Sequence, residues 1–195
     1  MDCSKVGNLI NQLRTEKGMT QRQLADQLNI SDKTISKWER GLGCPDVTLL
    51  GELSSVLGVE IEKILAGDLH PNEKDSGNMK QLKFYYCQTC GNVMTGTGNP
   101  SLSCCGRILE PLQAQNASDQ HQPSVEVIDD EYFITLDHEM SKSHYISFAA
   151  LVTFDSVMLV KLYPEQDAQI RMPKLRRRTV LYLYCTQHGL FKQQI

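Results

Sequence analysis

The chain has 195 residues, enough for one large domain or two to three small ones, and its 41% hydrophobic and 22% charged content is ordinary for a folded, water-soluble protein. No apolar run approaches the roughly 20 residues that cross a bilayer. The opening Met1-Asp2-Cys3-Ser4-Lys5 also lacks the apolar stretch of a signal peptide, so the expectation is a cytoplasmic protein with no membrane partner. The net charge of −3 excludes a global basic field, and residues 1–67 carry 8 Lys+Arg against 9 Asp+Glu, so any DNA affinity has to come from local placement of charge.

Residues 5–65 read as helices. Val6, Leu9, Ile10 and Leu13 form one apolar stripe at i, i+3, i+4, i+7, and Gly18 stops that helix. Thr20 opens the next, with Gln23 three residues on in capping-box position and Leu24, Ala25 and Leu28 as the buried face. Ser31 caps a third helix that turns Ile35 and Trp38 inward and ends at Gly41. Asp46 opens a fourth with Leu50, Leu53 and Leu57, closed by Gly58, and a short fifth covers about residues 60–65. Residues 68–81 lack periodicity and read as a linker. Residues 82–112 form a short Cys-centred module, and residues 113–123 are a second polar stretch. From Ser124 the pattern is β, in the runs Ser124–Ile128, Tyr132–Leu136, Tyr145–Thr153, Val157–Tyr163 and Thr179–Thr186, which suggests an antiparallel sandwich. The fold class is therefore multidomain: residues 1–67 an all-α helix-turn-helix bundle, 68–81 a linker, 82–112 a four-cysteine module, and 113–195 a β domain.

Helices over 20–28 and 31–40, joined through Asn29-Ile30, make a helix-turn-helix, which lays its second helix in the major groove of DNA. Its outward positions are Ser31, Asp32, Lys33, Thr34, Ser36 and Lys37. Lys33 and Lys37 share one face and can donate to guanine O6 and N7; Asp32 can accept from cytosine N4. Gln21 is expected to point toward the phosphate backbone. A five-helix protein-interaction module is the alternative. The run from Met19 to Gly41, followed by Cys44-Pro45-Asp46, resembles the Xre family, the lambdoid-repressor type. The resemblance implies a dimer that binds a double-stranded DNA operator, with Gln21 at phosphate and Asp32, Lys33 and Lys37 at the bases. Cys3 and Cys44 lie outside any metal pattern and are expected to be plain thiols.

Four of five histidines and five of seven cysteines fall into two patterns in the C-terminal part of the chain. In the first, Cys87-x-x-Cys90-Gly91 is a thiolate knuckle, and Cys104-Cys105-Gly106 supplies a second pair. Four thiolates favour tetrahedral zinc or iron, although neighbouring side chains diverge, so the adjacent pair is expected to distort the tetrahedron. Disulfides and a purely structural zinc are the alternatives. The pattern resembles desulforedoxin, the iron module that opens the desulfoferrodoxins, which implies one iron on Cys87, Cys90, Cys104 and Cys105.

The second pattern is His121, His138, His144 and Cys185-x-x-His188. Four neutral imidazoles and one thiolate suit iron(II), do not exclude zinc, and leave a sixth octahedral position open. The segments from His138 to Ile146, from Tyr184 to Phe191, and Asp119-Gln120-His121-Gln122-Pro123 resemble the iron-binding domain of desulfoferrodoxin and superoxide reductase. The resemblance implies an immunoglobulin-like sandwich, an Fe(II) held by these five residues, one-electron reduction of superoxide to peroxide, and an electron-donor protein such as a rubredoxin.

The chain departs from that family's pattern at four places, one of them the conservative replacement of a usual Trp by Phe191. Gln120 stands where the family has a substrate-attracting Lys, Asp119 occupies the position of the sixth-ligand Glu, and Glu139 stands where Pro is common. The basic run Lys174–Arg178 is expected to be a solvated loop. Three readings follow: a superoxide reductase fused to a DNA reader, a transcription regulator whose iron centres only sense oxidants, or a repressor with two structural zinc sites.

Overall fold

The computed structural model describes residues 2–74 and 79–195, so part of the expected linker, residues 75–78, lies outside the described residues, as do the side chains of Lys80 and Asp119. The chain divides into two compact units, the first ending at Pro71 and the second running Asn72–Ile195.

In the first unit, α1 (Cys3–Glu16) starts at Asp2, whose carboxylate accepts the amides of Ser4 at 3.0 Å and Lys5 at 3.3 Å. The apolar stripe is buried as its spacing requires, and α2 (Gln21–Gln27) opens on the full capping box between Thr20 and Gln23. Ser31 caps α3 (Asp32–Glu39), which sends Ile35 and Trp38 inward. Asp46 does not open the fourth helix directly. It caps a 3₁₀ turn (Val47–Leu49) by accepting from the amide and hydroxyl of Thr48, and α4 (Leu50–Leu57) follows, ended by Gly58 at φ 71°. α5 (Ile61–Ala66) completes the bundle. Arg14 of α1 makes a bidentate pair with Glu39 of α3, at 2.6 and 3.1 Å, tying the two helices beside a buried carboxylate. Cys3 and Cys44 are not free thiols: they form a disulfide between the first turn of α1 and the loop after α3. Residues 41 positions apart meet here, and local sequence carries no signal for that pairing.

α1 crosses α3 at Gly7, where a Cβ would lie 1.9 Å from the Trp38 carbonyl oxygen. Backbone meets backbone there, so no side chain can yield. Gly7→Ala is expected to destabilise this unit by about 2–3 kcal/mol. Urea unfolding followed by emission of Trp38, the chain's only tryptophan, checks this.

The second unit begins with two hairpins, β1 (Lys83–Tyr86) with β2 (Val93–Gly96), and β3 (Leu102–Cys104) with β4 (Arg107–Leu109). Two larger sheets follow. One has three strands in the order β10-β7-β6, from β6 (Ser124–Ile128), β7 (Glu131–Thr135) and β10 (Gln169–Pro173). The other has five in the order β5-β12-β11-β8-β9, from β5 (Ala114–Asn116), β8 (Ile146–Val152), β9 (Val157–Lys161), β11 (Val180–Cys185) and β12 (Gly189–Gln194). Ile134, Ile170 and Met172 of the first sheet share one core with Leu151, Leu181, Leu183 and Phe191 of the second.

β8 is buried along its whole length because both of its faces are covered. Its other face carries Phe148, which packs with Phe84 and Tyr86 of β1 and Tyr184 of β11. A strand covered on both sides reads as a continuous apolar run, and Ile-Ser-Phe-Ala-Ala-Leu-Val does.

Three strands go beyond the sequence expectation. β5 falls in the polar stretch 113–123 and pairs parallel with β12 at the sheet's edge, where Gln115 and Asn116 are exposed and Ala114 is half-buried. β10 alternates exposed Gln169, Arg171 and Pro173 with buried Ile170 and Met172. β12 buries Leu190 and Phe191 on its two faces near its start and exposes Lys192 and Gln194 toward its end.

Candidate metal centres and the helix-turn-helix

Cys185 ends β11, where the register with β8 shifts between Tyr184 and Cys185. The chain then turns through Thr186, Gln187 and His188 and re-enters β12 at Gly189, whose φ of 91° is a left-handed conformation that glycine adopts without strain. The Cys-x-x-His-Gly spacing is thus a hairpin that sets thiol and imidazole side by side, with Cys185 Sγ 3.5 Å from His188 Nδ1.

His138 and His144 lie on the loop between β7 and β8. Met140 pins that loop: its side chain is buried in the core, its sulfur accepts the Ile146 amide, and its carbonyl accepts the Glu165 amide at 2.7 Å. His121 ends a 3₁₀ turn, Asp119–His121, directly after β5, and its ring stacks on Phe191 at 4.1 Å and 9°.

The four imidazoles close a ring of edge-to-face contacts. Centroid separations are 5.2 Å for His121–His138, 4.5 Å for His138–His144, 4.8 Å for His144–His188 and 5.0 Å for His188–His121. Ligand atoms of His121, His138, His144 and Cys185 all lie within 4.8 Å of one another. His188 falls outside that mutual set, yet its Nδ1 is 3.2 Å from His144 Nε2. Nε2 of His121 and of His138 is buried with no hydrogen-bond partner among the described residues. Buried polar nitrogens are seldom left unpaired. Two orphans facing a thiol and two further ring nitrogens fit a metal ion.

Burial, and then the neighbouring imidazoles, push His138 down to about 4 and lower His121 as well, which keeps both rings neutral and able to ligate. Glu139 adds a group that family resemblance did not supply. Its Oε2 lies 2.8 Å from His144 Nδ1, so that ring donates to the carboxylate and turns Nε2 toward the other ligands. The hydrogen bond to His144 also holds the Glu139 carboxyl below its usual range.

Gln120 is exposed, and it shares an open pocket beside His121 and His188 with Gln115, Ser118 and Gln187; among the described residues no Lys or Arg lines this pocket. Asp119 sits on the turn before His121, and its side chain is outside the described residues. Arg177, in the basic run, pairs with Asp155 at 2.8 Å and lies over Phe154, in a pocket that contains none of the histidines.

The four remaining free cysteines also converge. Ligand sulfurs of Cys87, Cys90, Cys104 and Cys105 lie within 4.8 Å of one another, with Cys90–Cys104 at 3.5 Å. The adjacent pair is accommodated by the backbone. Cys104 ends β3, and Cys105 and Gly106 form a two-residue turn with φ of 52° and 75°, so successive side chains do not diverge as they would on a strand. Backbone amides of Cys90 foremost, then Thr89, lower the Cys87 thiol to about 6, while the thiols of Cys90 and Cys87 raise Cys105 to about 12. Four sulfurs this close resist joint ionisation unless a cation sits among them. The cluster joins the rest of the unit through Gln88 Nε2, which donates to the Tyr184 hydroxyl at 2.7 Å, and Lys161 Nζ, which donates to the Gly91 carbonyl at 2.6 Å.

On the helical unit, Asp32, Lys33 and Lys37 are exposed on α3. Ser31 and Thr34 are occupied with each other at 2.8 Å and with the cap. Gln21 does not point freely outward: its amide donates to Glu39 at 2.7 Å, joining the Arg14–Glu39 pair.

The first unit is a helix-turn-helix domain: residues 10–64 match the Helix-turn-helix family model. Among curated relatives, the HTH-type transcriptional activator BcrR of Enterococcus faecalis is 40% identical over 77 residues, 40% of this chain and 38% of that protein. The SPbeta prophage-derived HTH-type transcriptional regulator YonR of Bacillus subtilis is 38% identical over 61 residues, 31% of this chain and 56% of that protein. The chain thus spans about two fifths to three fifths of the length of these relatives. The second unit shares the fold of the superoxide reductase from Treponema pallidum, at 22% identity and a TM-score of 0.52, over 60% of this chain and 98% of that one. Among the described residues no helix is long and apolar enough to cross a membrane.

Removing the Glu139 carboxylate charge weakens the hydrogen bond that orients the His144 ring. Glu139→Gln is expected to weaken metal binding at the imidazole cluster by about tenfold, in the range for partners of ligating histidines, without changing binding at the four cysteines. Competition against a chromophoric chelator measures both.

Proposed function

We propose that this chain is a DNA-binding iron protein that reduces superoxide to hydrogen peroxide. The observation that carries this reading is the closed ring of four imidazoles beside the buried Cys185 thiol, with two ring nitrogens left unpaired. His121, His138, His144 and His188 supply nitrogen and Cys185 supplies sulfur to an Fe(II), and Cys87, Cys90, Cys104 and Cys105 hold a second iron, or zinc. An Fe(II) held in the imidazole cluster would supply the single electron that superoxide takes up, solvent at the open mouth would supply the two protons that complete hydrogen peroxide, and an electron-donor protein such as a rubredoxin would restore the ferrous state.

The protein's own part is orientation. Phe191 fixes the plane of His121, Glu139 fixes His144, and the 186–188 turn fixes His188 against Cys185. Gln120 and its amide neighbours can donate hydrogen bonds to an anion at the mouth but offer no charge to attract it, so capture is slower than a lysine there would give. Asp119 is kept as the candidate sixth ligand. The two facing sheets are read as the immunoglobulin-like sandwich of that family.

The helix-turn-helix is proposed to read a double-stranded operator as a homodimer, with Asp32, Lys33 and Lys37 at bases, Ser31 and Thr34 at the helix start, and Gln21 at phosphate after exchanging its bond to Glu39. A cytoplasmic location is part of the proposal. The cation-free mouth favours a second reading, in which the iron centre is oxidised once and reports to the DNA reader.

Pulsed superoxide separates these readings. The enzyme reading expects peroxide in repeated turnover with reductant; oxidation that stops at one equivalent, with operator affinity that differs between oxidation states, leaves the sensor. For the reader, Lys33→Ala and Lys37→Ala are each expected to weaken operator binding by about 1–3 kcal/mol where they contact bases. Unchanged affinity in filter binding or anisotropy would remove these lysines from the interface.

A further inference from the structure

The seven cysteines divide by position. Five are free and fall in the two metal clusters, and the other two, Cys3 and Cys44, are bonded to each other in the helical unit. Both are half-buried, so solvent reaches this part of the surface. Their bond sits where it controls the segment that leaves the recognition helix. The last turn of α3 is closed by the Gly41 amide donating to Trp38 and the Leu42 amide donating to Lys37, both at 2.9 Å. Two residues later, Cys44 is tied to the first turn of α1. The next anchor is Asp46, which caps the 3₁₀ turn. Gly41 already abuts Ser4, where an added Cβ would lie 3.0 Å from the Ser4 Cα. Residues 42–45 are therefore held at three points while the bond is closed and at two when it is open. Leu42 and Val47, on either side of Cys44, are 67% and 77% exposed, so apart from the buried Pro45 apolar packing does little to hold this segment.

We propose that Cys3 and Cys44 form a reversible thiol–disulfide exchange site, served by a dithiol reductant, whose closed state holds the loop after the recognition helix in its DNA-binding conformation. Disulfides in reducing compartments are characteristically transient or redox-sensing, and the proposed cytoplasmic location is such a compartment. In exchange, a thiolate of the donor attacks one sulfur, the Cys3–Cys44 bond breaks, and a mixed disulfide forms. The donor's second thiol then displaces the protein sulfur. Two electrons and two protons end on Cys3 and Cys44, and the donor leaves as its own disulfide; the reverse reaction with a disulfide closes the pair. Closure orders the loop before DNA arrives, which lowers the ordering cost of binding. The exchange site rests on the proposed cytoplasmic location and not on the iron chemistry, and its effect on DNA rests on the DNA-reading part of that proposal.

The test uses the full chain. Folded protein is equilibrated in mixtures of reduced and oxidised dithiothreitol, quenched with iodoacetamide and mapped by peptide mass. Cys3 and Cys44 are expected to titrate together as one two-electron couple while Trp38 emission stays native. A bond that opens only on unfolding, or a reduced pair that does not re-form, would overturn the proposal. On a duplex selected from a random pool by the full chain, closed protein is expected to bind about tenfold more tightly than reduced protein. Cys44→Ser, measured without reductant so that the metal clusters are undisturbed, is expected to match the reduced form; equal affinity of all three overturns the link to DNA. If no duplex is selected in either state, the DNA-reading proposal fails. Amide exchange then decides the rest, with Leu42 expected to exchange at least tenfold faster on reduction and an unchanged rate counting against the site.

Discussion

Two imidazole nitrogens, Nε2 of His121 and of His138, are buried without a partner among the described residues, and the rest of the second unit is arranged around them. Leaving such an atom unpaired costs about 1–3 kcal/mol. The fold accepts that cost twice within one cluster, and next to a thiol. An ion bound there would offset it and would couple metal affinity to folding of this unit. The framework that holds the nitrogens in place is correspondingly rigid. β8 is covered on both faces, β11 pairs along its length with β8 and β12, and the parallel β5–β12 pair delivers the chain to His121.

The two clusters are not independent appendages. Each has a cysteine preceded by a tyrosine, Tyr86-Cys87 and Tyr184-Cys185, and the two tyrosine rings pack at 4.4 Å. Gln88, between two ligands of the four-cysteine cluster, donates to the hydroxyl of Tyr184. Phe84 and Phe148 extend the same aromatic layer at 5.4 Å. Burial raises both tyrosine hydroxyls, Tyr86 to about 12, so they remain protonated and this layer carries no charge. The two clusters are thus joined by packed rings rather than by a flexible tether.

The helical unit is legible in the sequence because its signals are local. The Val6-Leu9-Ile10-Leu13 stripe, the Thr20–Gln23 box and Gly58 each act within one or two turns, and each stands where the spacing puts it. What escapes such reading depends on distant partners. The Cys3–Cys44 bond joins residues whose separation gives no pattern, and the Gln21–Glu39 contact turns inward a side chain expected to face outward. β5 is polar because it is a short edge strand, and in β12 the ligand motif at its start overshadows the alternation that follows. The candidate metal-site residues are proposed through a resemblance, and physics alone reaches only their residue types. Glu139 stands out in the sequence as a departure from the family. Its bond to His144 follows from a turn at Met140, with φ 50°, that no spacing rule reveals.

The most direct test of the central claim is metal analysis with X-ray absorption at the iron edge, on full-length protein purified without air. The account predicts one ferrous ion at the imidazole cluster, with four nitrogen donors and one sulfur donor, its signal lost in Cys185→Ser. Zinc at that cluster, or a metal-free cluster in protein whose four-cysteine site is filled, would contradict it.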